Sequence, residues 1–234
     1  MGRSQSDSAR FRLQAKSLTG VRGDQTLFKD LSFDLPSSSG LRIAGPNGSG
    51  KTTLLRMLAG LSRPAAGKIS LLADKNSSEA SLSLAEHRSR VMYLGHNPGL
   101  NLRLNAVENL CFWLNLQRDT DAVASSSPLE IEEACRQALE MVGLYEQQLL
   151  SCSELSAGQK RRASIARVFL DNRYIAGKCL WVLDEPLTSL DKSFSQMLMQ
   201  RVAAHVDEGG LLVLTTHQNP DGIDLAELEL GGFG

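Results

Sequence analysis

One short segment combines three glycines with a lysine and a threonine: GPNGSGKT, residues 45–52. Glycines at this spacing let backbone N–H groups turn inward and cradle phosphate oxygens. The Lys51 ammonium would then reach the β- and γ-phosphates of a nucleotide, and the Thr52 hydroxyl would bind Mg²⁺. The alternative is a glycine-rich turn without a ligand. The predicted nucleotide-binding residues are Gly45, Pro46, Asn47, Gly48, Ser49, Gly50, Lys51, Thr52 and Thr53.

A pair of acidic residues, Asp184 and Glu185, directly follows the apolar run CLWVL (179–183). A carboxylate in the position of Asp184 can hold the Mg²⁺ shell. Glu185 is then placed to orient and deprotonate a water that attacks the terminal phosphate. The alternative is that these two acidic residues only cap a helix that follows the strand.

A third segment, LSAGQKRRASIAR (155–167), places a turn of small residues before a basic helix. Small residues such as Ser156, Ala157 and Gly158 let the backbone approach an anion closely, and a helix N-terminus attracts negative charge. Taken alone, KRRASIAR favours a solvated basic face or a nucleic-acid patch. The order of the other motifs reverses that preference.

Three apolar runs would position these groups: LRIA (41–44), CLWVL (179–183) and LLVLTT (211–216). The second and third are almost entirely apolar, as in parallel strands that are buried on both faces. Each leads directly into residues that carry chemistry. The pattern predicts an open α/β sheet with its ligand at the carboxyl ends of the strands. The run 52–60, which Gly60 would end, predicts a helix whose N-terminus faces the phosphates.

The middle of the chain, from about residue 86 to 173, reads as mainly helical. In the segment 129–144, apolar residues recur at helical spacing before Gly143, which would end the helix. These residues are Ile131, Cys135, Ala138, Leu139 and Val142. A Ser-rich stretch (121–128) reads as a linker.

The predicted organisation is a flexible N-terminal tail (1–10) and one domain (11–234). The domain is a P-loop α/β core into which a helical subdomain, about 97–173, is inserted.

The composition sets further bounds on function. The 234 residues carry a net charge of −1, and aromatic residues make up 5%, so nothing indicates a nucleic-acid partner. No apolar run approaches the roughly 20 residues that span a bilayer. The four cysteines form no metal-binding spacing and are expected to be free thiols. His87 and His205 are expected at the surface.

Together these motifs resemble the ATP-binding cassette (ABC) ATPases over nearly the whole chain. The resemblance rests on the Walker A loop (45–52), the signature LSAGQ (155–159), the Walker B strand ending in Asp184-Glu185, a D-loop SLD (189–191) and the switch histidine His217. It implies ATP and Mg²⁺ as cofactors, with Thr52 and Asp184 at the metal.

The same resemblance implies catalytic roles for Glu185 and His217. It also implies a head-to-tail dimer, in which the signature of one copy contacts the ATP on the other. The signature residues are Leu155, Ser156, Ala157, Gly158 and Gln159.

Two positions depart from the usual ABC pattern. His96 stands where most members have a glutamine that touches Mg²⁺ and the attacking water, with Asn97 one residue on. Imidazole is a poor ligand for Mg²⁺, which prefers oxygen. His96 could act through a water, Asn97 could supply an amide, or the segment could have only a loop role. VRGDQ (21–25) also lacks the aromatic residue that many relatives stack on adenine.

The segments YLGH, LSAGQKRR, LDEPLTSLD and TTHQ resemble the ATP-binding subunits of the haem exporter of cytochrome c maturation. That resemblance implies polytopic membrane subunits as partners and release of a haem-loaded chaperone driven by ATP hydrolysis. It implies a peripheral location on the cytoplasmic face of a bacterial inner membrane or the matrix face of a mitochondrial one. No residue is expected to bind haem.

Two other functions stay open at this point. One is a soluble ABC ATPase of a cofactor-assembly scaffold, such as iron–sulfur cluster biogenesis. The other is a regulatory dimer that binds ATP and hydrolyses little.

Overall fold

Two β-sheets form the framework of the protein in its computed structural model, which describes residues 10–75, 78–116, 124–175, 177–216 and 223–231. The strands are β1 (Arg10–Arg22), β2 (Gln25–Leu35), β3 (Ser39–Ala44), β4 (Ala66–Lys75), β5 (Ser78–Ser81), β6 (Val91–Leu94), β7 (Leu180–Asp184), β8 (Leu211–Thr215) and β9 (Leu225–Glu229). The helices are α1 (Lys51–Leu58), α2 (Leu84–Ser89), α3 (Ala106–Asn115), α4 (Pro128–Met141), α5 (Ala157–Ile165), α6 (Asn172–Ile175) and α7 (Lys192–Asp207), with a 3₁₀ turn at Ala166–Phe169.

The larger sheet is parallel and has the order β6-β7-β8-β3-β9. Every residue of β7 and β8 is buried, as their apolar sequences predicted. Because the strands run in one direction, the residues that follow β3, β6, β7 and β8 meet along one edge. The predicted α/β fold with an open parallel sheet is confirmed.

A second, antiparallel sheet, with the order β2-β1-β4-β5, lies over α1. Leu13 and Leu18 of β1 share one buried cluster with Leu54, Leu55 and Leu58 of α1. This sheet was not predicted from the sequence. Its packing fixes α1, and therefore the loop that precedes α1, from the side opposite the parallel sheet.

Between β6 and β7 the described chain is mainly helical, as expected. The five apolar residues that recur at helical spacing in and just after α4 all have exposed fractions of 5% or less. Three helices in this region begin with a capping box: Asn105 with Glu108, Ser127 with Glu130, and Ser156 with Gln159. Ser127, which the sequence placed in a linker, is therefore a helix cap, while residues 121–123 lie outside the described residues.

His87 and His205, expected at the surface, are buried, with exposed fractions of 5% and 9%. Nε2 of His87 donates to the carbonyl oxygen of Leu58 at 2.7 Å. The His205 ring stacks on Trp181, with ring centroids 4.1 Å apart. The expectation was wrong because each imidazole finds an acceptor for a ring nitrogen within the fold, the carbonyl oxygen of Leu58 for His87 and that of Leu211 for His205.

The four cysteines are free thiols, in agreement with the prediction. Within the described ranges, none of the helices is long and apolar enough to cross a membrane.

Candidate functional site

The loop between β3 and α1 has the shape of a phosphate cradle. Gly45, Gly48 and Gly50 have positive φ values of 137°, 85° and 98°. Gly50 precedes α1 with no side-chain cap, so the first N–H groups of the helix are left to an external acceptor. The Lys51 ammonium folds back over the loop and donates to the carbonyl oxygens of Gly45 (2.7 Å) and Pro46 (3.0 Å).

Crowding explains why two of these positions need glycine. A Cβ on Gly45 would lie 2.6 Å from the carbonyl oxygen of Leu230, and one on Gly50 would lie 2.9 Å from Cβ of Leu27. Both contacts are closer than real Cβ atoms make, and both residues have φ values that disfavour side chains. The loop therefore depends on backbone that packs directly against β2 and the end of β9.

The Asp184 carboxylate, which is only 2% exposed, joins three elements. Thr52 donates from Oγ1 to one carboxylate oxygen at 2.7 Å, and Thr215 donates to the other at 2.8 Å. Burial of a carboxylate is costly unless such donors compensate it. The two residues expected at Mg²⁺, Thr52 and Asp184, are thus in direct contact.

Glu185 begins the turn after β7 with a φ of 48°, in the left-handed region. Such a conformation costs free energy in a residue with a side chain and is held by its surroundings. The backbone N–H of Glu185 donates to Thr215 Oγ1 at 2.9 Å, and its carbonyl oxygen accepts from Arg161 at 2.7 Å. The general-base candidate is therefore fixed through its backbone.

These groups surround an open cavity of about 460 Å³, a volume typical of small-molecule sites. Its described lining comprises Arg22, Leu27, Asn47, Gly48, Gly50, Lys51, Thr52, Thr53, His96, Asp184, Glu185 and Thr188. His96 is in this lining, and Asn97, although exposed, is not. Arg22, at the end of β1, supplies a planar guanidinium in the region where the usual aromatic residue is missing, and such a group can stack on a purine ring.

The signature segment lies elsewhere. None of residues 155–159 belongs to the described lining of the cavity. Ser156 caps α5 by accepting from the N–H of Gln159 at 3.2 Å, and Gln159 Oε1 accepts from the N–H of Ser156 at 2.8 Å. The Ser156 hydroxyl hydrogen stays available for a ligand that approaches from outside. Gly158 lies beside the D-loop, since a Cβ there would be 3.7 Å from the carbonyl oxygen of Ser189.

Several residues at the site were not predicted, among them Leu27 and Thr188 of the cavity lining, Thr215 and Arg161. Thr215 and Arg161 contact the backbone or carboxylate of Asp184 and Glu185, although the sequence assigned Thr215 only to a strand and Arg161 to a basic segment. The strand-end position of Thr215, two residues before His217, was the available signal. His217 lies outside the described residues.

The family of the chain follows from comparison with known proteins. Residues 28–188 match the family model described as ABC transporter. The dimeric ATP-binding cassette MJ0796, in a post-hydrolysis state with ADP and Pi, has a TM-score of 0.71 at 22% identity and covers 88% of both chains. A putative ABC transporter ATP-binding protein from Pyrococcus furiosus has a TM-score of 0.69 at 20% identity, covering 94% of this chain and 97% of that one. At these identities the likeness concerns the fold.

Curated relatives narrow the class. The cytochrome c biogenesis ATP-binding export protein CcmA of Shigella flexneri is 40% identical over 206 residues, which are 88% of this chain and 89% of that protein. CcmA of Escherichia coli K12 is 39% identical over the same shares. CcmA of Photobacterium profundum is 35% identical over 94% of this chain and 99% of its own. The chain belongs to the ABC transporter family and, within it, to the family of these CcmA proteins.

Proposed function

We propose that the chain is the ATP-hydrolysing subunit of a membrane ABC exporter that serves c-type cytochrome biogenesis. The observation that carries the ATP-hydrolysing role is the 2.7 Å hydrogen bond between Thr52 and Asp184. It joins the phosphate-binding loop to the acidic strand end, with Glu185 beside it on the same cavity. The relationship to the CcmA export proteins supplies the biological setting.

The residues at this point fit Mg²⁺. Thr52 offers a hydroxyl oxygen and Asp184 a carboxylate, and Mg²⁺ prefers oxygen donors. Among the residues described, no three His, Cys, Asp or Glu side chains are grouped to hold a metal ion. A site with one carboxylate and one hydroxyl suits an ion that arrives with nucleotide phosphates. When bound, Mg²⁺ neutralises charge on the β- and γ-phosphates.

In the proposed reaction the nucleotide phosphates occupy the cradle of Gly45–Thr53, where backbone N–H groups and Lys51 bind them. For this to happen, the Lys51 ammonium exchanges its carbonyl acceptors for phosphate oxygens. Glu185 orients a water in line with the γ-phosphate and accepts its proton. His217 contacts the γ-phosphate and stabilises the charge that develops there.

We further propose that two copies act together. Leu155–Gln159 lie away from the cavity of their own chain, so a second copy would bring its Ser156 hydroxyl and α5 N-terminus to the γ-phosphate. The ATP would then bridge the two chains, and hydrolysis would reopen them. The remaining partners are polytopic membrane subunits and, through them, a haem chaperone. The peripheral location of the chain, on the cytoplasmic or matrix face, is part of the same proposal.

The test is a pull-down from native membranes in mild detergent with a tagged Glu185→Gln chain and Mg·ATP, read by mass spectrometry. Loss of the general base should lower turnover at least a hundredfold while ATP still binds, so closed dimers persist. The matched control is the same chain without nucleotide.

Recovery of small polytopic membrane proteins with a haem chaperone supports the proposal. Recovery of soluble scaffold proteins without membrane subunits contradicts the exporter assignment. Unchanged turnover in Glu185→Gln would remove Glu185 from the mechanism.

A further inference from the structure

Arg161, in the middle of α5, is a buried charged residue that the reaction above does not use. Only 5% of it is exposed, and burial lowers the pKa of its guanidinium from the usual value of a free arginine. Arginine nevertheless remains charged at any working pH. A buried cation is expensive and persists only where several acceptors surround it.

The acceptors of Arg161 are backbone carbonyl oxygens from two separate loops. One terminal nitrogen, Nη1, donates to Gly95 at 2.8 Å and to His96 at 3.3 Å. The other, Nη2, donates to Asp184 at 3.1 Å and to Glu185 at 2.7 Å. One planar guanidinium therefore bridges the loop after β6 and the turn after β7, and both loops carry side chains that line the nucleotide cavity.

The same face of α5, continued into the 3₁₀ turn, makes one further contact to β6 and one to the loop that follows it. Ser164 donates from Oγ to the carbonyl oxygen of Pro98 at 2.7 Å, and Arg167 Nη1 donates to Tyr93 at 3.4 Å. These residues follow Arg161 at intervals of three, so they lie along one side of the helix. Among the three, Arg161 is the residue that also reaches the β7 turn.

We propose that Arg161 is a positioning residue, which couples the signature helix to both catalytic loops at once. Arg161 lies one helical turn beyond the first residue of α5, Ala157, and the helix between them is continuous. When a γ-phosphate binds at the helix N-terminus, a displacement of α5 moves the guanidinium, and with it the backbone of His96 and Glu185. Phosphate binding on one face is thereby linked to the placement of the water-activating carboxylate on the other. This inference rests on the proposed ATPase function.

The test replaces Arg161 by Gln, whose amide can donate only two hydrogen bonds, and by Lys, whose single ammonium retains the charge but lacks the planar fork. Arg201→Gln is the matched control. The Arg201 guanidinium is also partly buried and donates to Val168 (3.0 Å) and Asn172 (2.8 Å), away from the cavity. For each variant, kcat for ATP, Kd for a fluorescent ATP analogue and the thermal midpoint are measured.

Arg161→Gln should lower kcat at least about tenfold while Kd changes by less than about threefold, because the contacts to phosphate are untouched. Arg161→Lys, which keeps the buried charge and secures the test if the Gln variant unfolds, should fall between Gln and wild type. Arg201→Gln should keep kcat within about twofold, even where it loses as much thermal stability.

The inference is overturned if the Arg161 variants keep wild-type kcat, if Kd rises in proportion to the loss of kcat, or if the Arg201 variant loses kcat equally. A wild-type chain that hydrolyses no ATP would instead contradict the proposed function itself, so the two failures are distinguishable.

Discussion

At the level of single residues, the site depends on how one buried carboxylate is satisfied. Asp184 accepts from two threonine hydroxyls, one on α1 and one at the end of β8. The proton of Thr52 points to Asp184, which leaves the lone pairs of its oxygen for a cation. Thr215 has a second role, because its oxygen also accepts from the N–H of Glu185 at 2.9 Å. The two threonines thus set the position of both acidic residues.

Whether the imidazole of His96 contributes to ATP hydrolysis can be tested by substitution. Its side chain lines the cavity, while its carbonyl oxygen accepts from Arg161 at 3.3 Å. Truncation to alanine therefore removes the imidazole but leaves the backbone anchor. We expect His96→Ala to lower kcat about tenfold, the loss that corresponds to ~1.4 kcal/mol for one water-mediated contact in the transition state. The measurement is steady-state ATPase activity across a range of Mg²⁺ concentrations.

Asn97→Ala is the matched control, since Asn97 is exposed beside His96 and is not in the described cavity lining. It should change kcat by less than about twofold. Equal losses in the two variants, or wild-type rates and Mg²⁺ dependence in His96→Ala, would assign the segment a loop role only.

The sequence predicted some residues in and around the cavity and missed others. The difference is how far apart in the sequence the contacting residues lie. Gly45–Thr53 form a continuous segment whose chemistry is encoded in local spacing. Arg161 contacts residues 66 and 65 positions away in one loop and 23 and 24 away in the other. A local sequence pattern does not indicate such distant contacts. In KRRASIAR, Arg161 stands between two other basic residues, so the sequence predicts a solvated segment. The burial of Arg161 depends on the tertiary structure and not on the residues beside it in the sequence.

At the level of elements, the buried strands were predictable and the antiparallel sheet was not. β7 and β8 are buried on both faces, so their sequences are continuous apolar runs. β1 is buried on one face, and its alternation is broken where Ser17 has a φ of 47° and the register with β4 shifts after Lys16. Such an irregularity changes which side chains face the core. The period-two signal of β1 is therefore lost in the sequence.

The packing of α7 on the parallel sheet predicts an acid-sensitive fold. His205 of α7 stacks on Trp181 of β7, and Gly210 leaves the space, since a Cβ there would lie 2.2 Å from His205 Nε2. Burial lowers the pKa of His205 from 6.5 to about 4. The unfolded chain therefore binds a proton more readily than the folded chain. Stability that is present above pH 6.5 is lost as the pH falls toward 4, about 2 kcal/mol of it by pH 5.

The measurement is urea unfolding of the wild type and His205→Gln at pH 7.5 and pH 5.0. The Gln variant cannot titrate at this position, so its loss of unfolding free energy between the two pH values should be about 2 kcal/mol smaller than that of the wild type. Equal pH dependence in the wild type and His205→Gln would contradict this account.

At the level of the whole molecule, the proposed dimer would bring together two segments that one chain holds apart. The cavity is bordered by the Walker A loop and Asp184-Glu185, whereas the signature caps a helix outside its described lining. The binding energy of ATP would hold two chains together only if the nucleotide cavity of one chain meets the signature segment of the other. The proposal of a nucleotide-bridged dimer thus depends on the exposed start of α5, where Ser156 also caps the helix within a single chain.

A substitution at Gly158 tests the assembly of two chains without disturbing the fold of one chain. A Cβ at Gly158 would meet the Ser189 carbonyl oxygen at 3.7 Å, an ordinary contact, and its φ lies outside the region that disfavours side chains. Gly158→Ala should therefore keep or slightly raise the thermal midpoint, because alanine favours the helix. Its methyl group would stand at the N-terminus of α5, where the phosphate and the second chain approach. We expect the dimer dissociation constant to rise at least about tenfold.

The measurement is the molar mass by light scattering, with Glu185→Gln as the background and saturating Mg·ATP to prevent turnover. Gly231→Ala is the control, because a Cβ there meets nothing within 4 Å and lies far along the chain from the signature. It should dimerise like the background chain. If Gly158→Ala also forms the full dimer at the same protein concentration, the signature does not approach the nucleotide across the interface. ATP must then be held by each chain alone, and the closing of two chains would no longer complete the catalytic site.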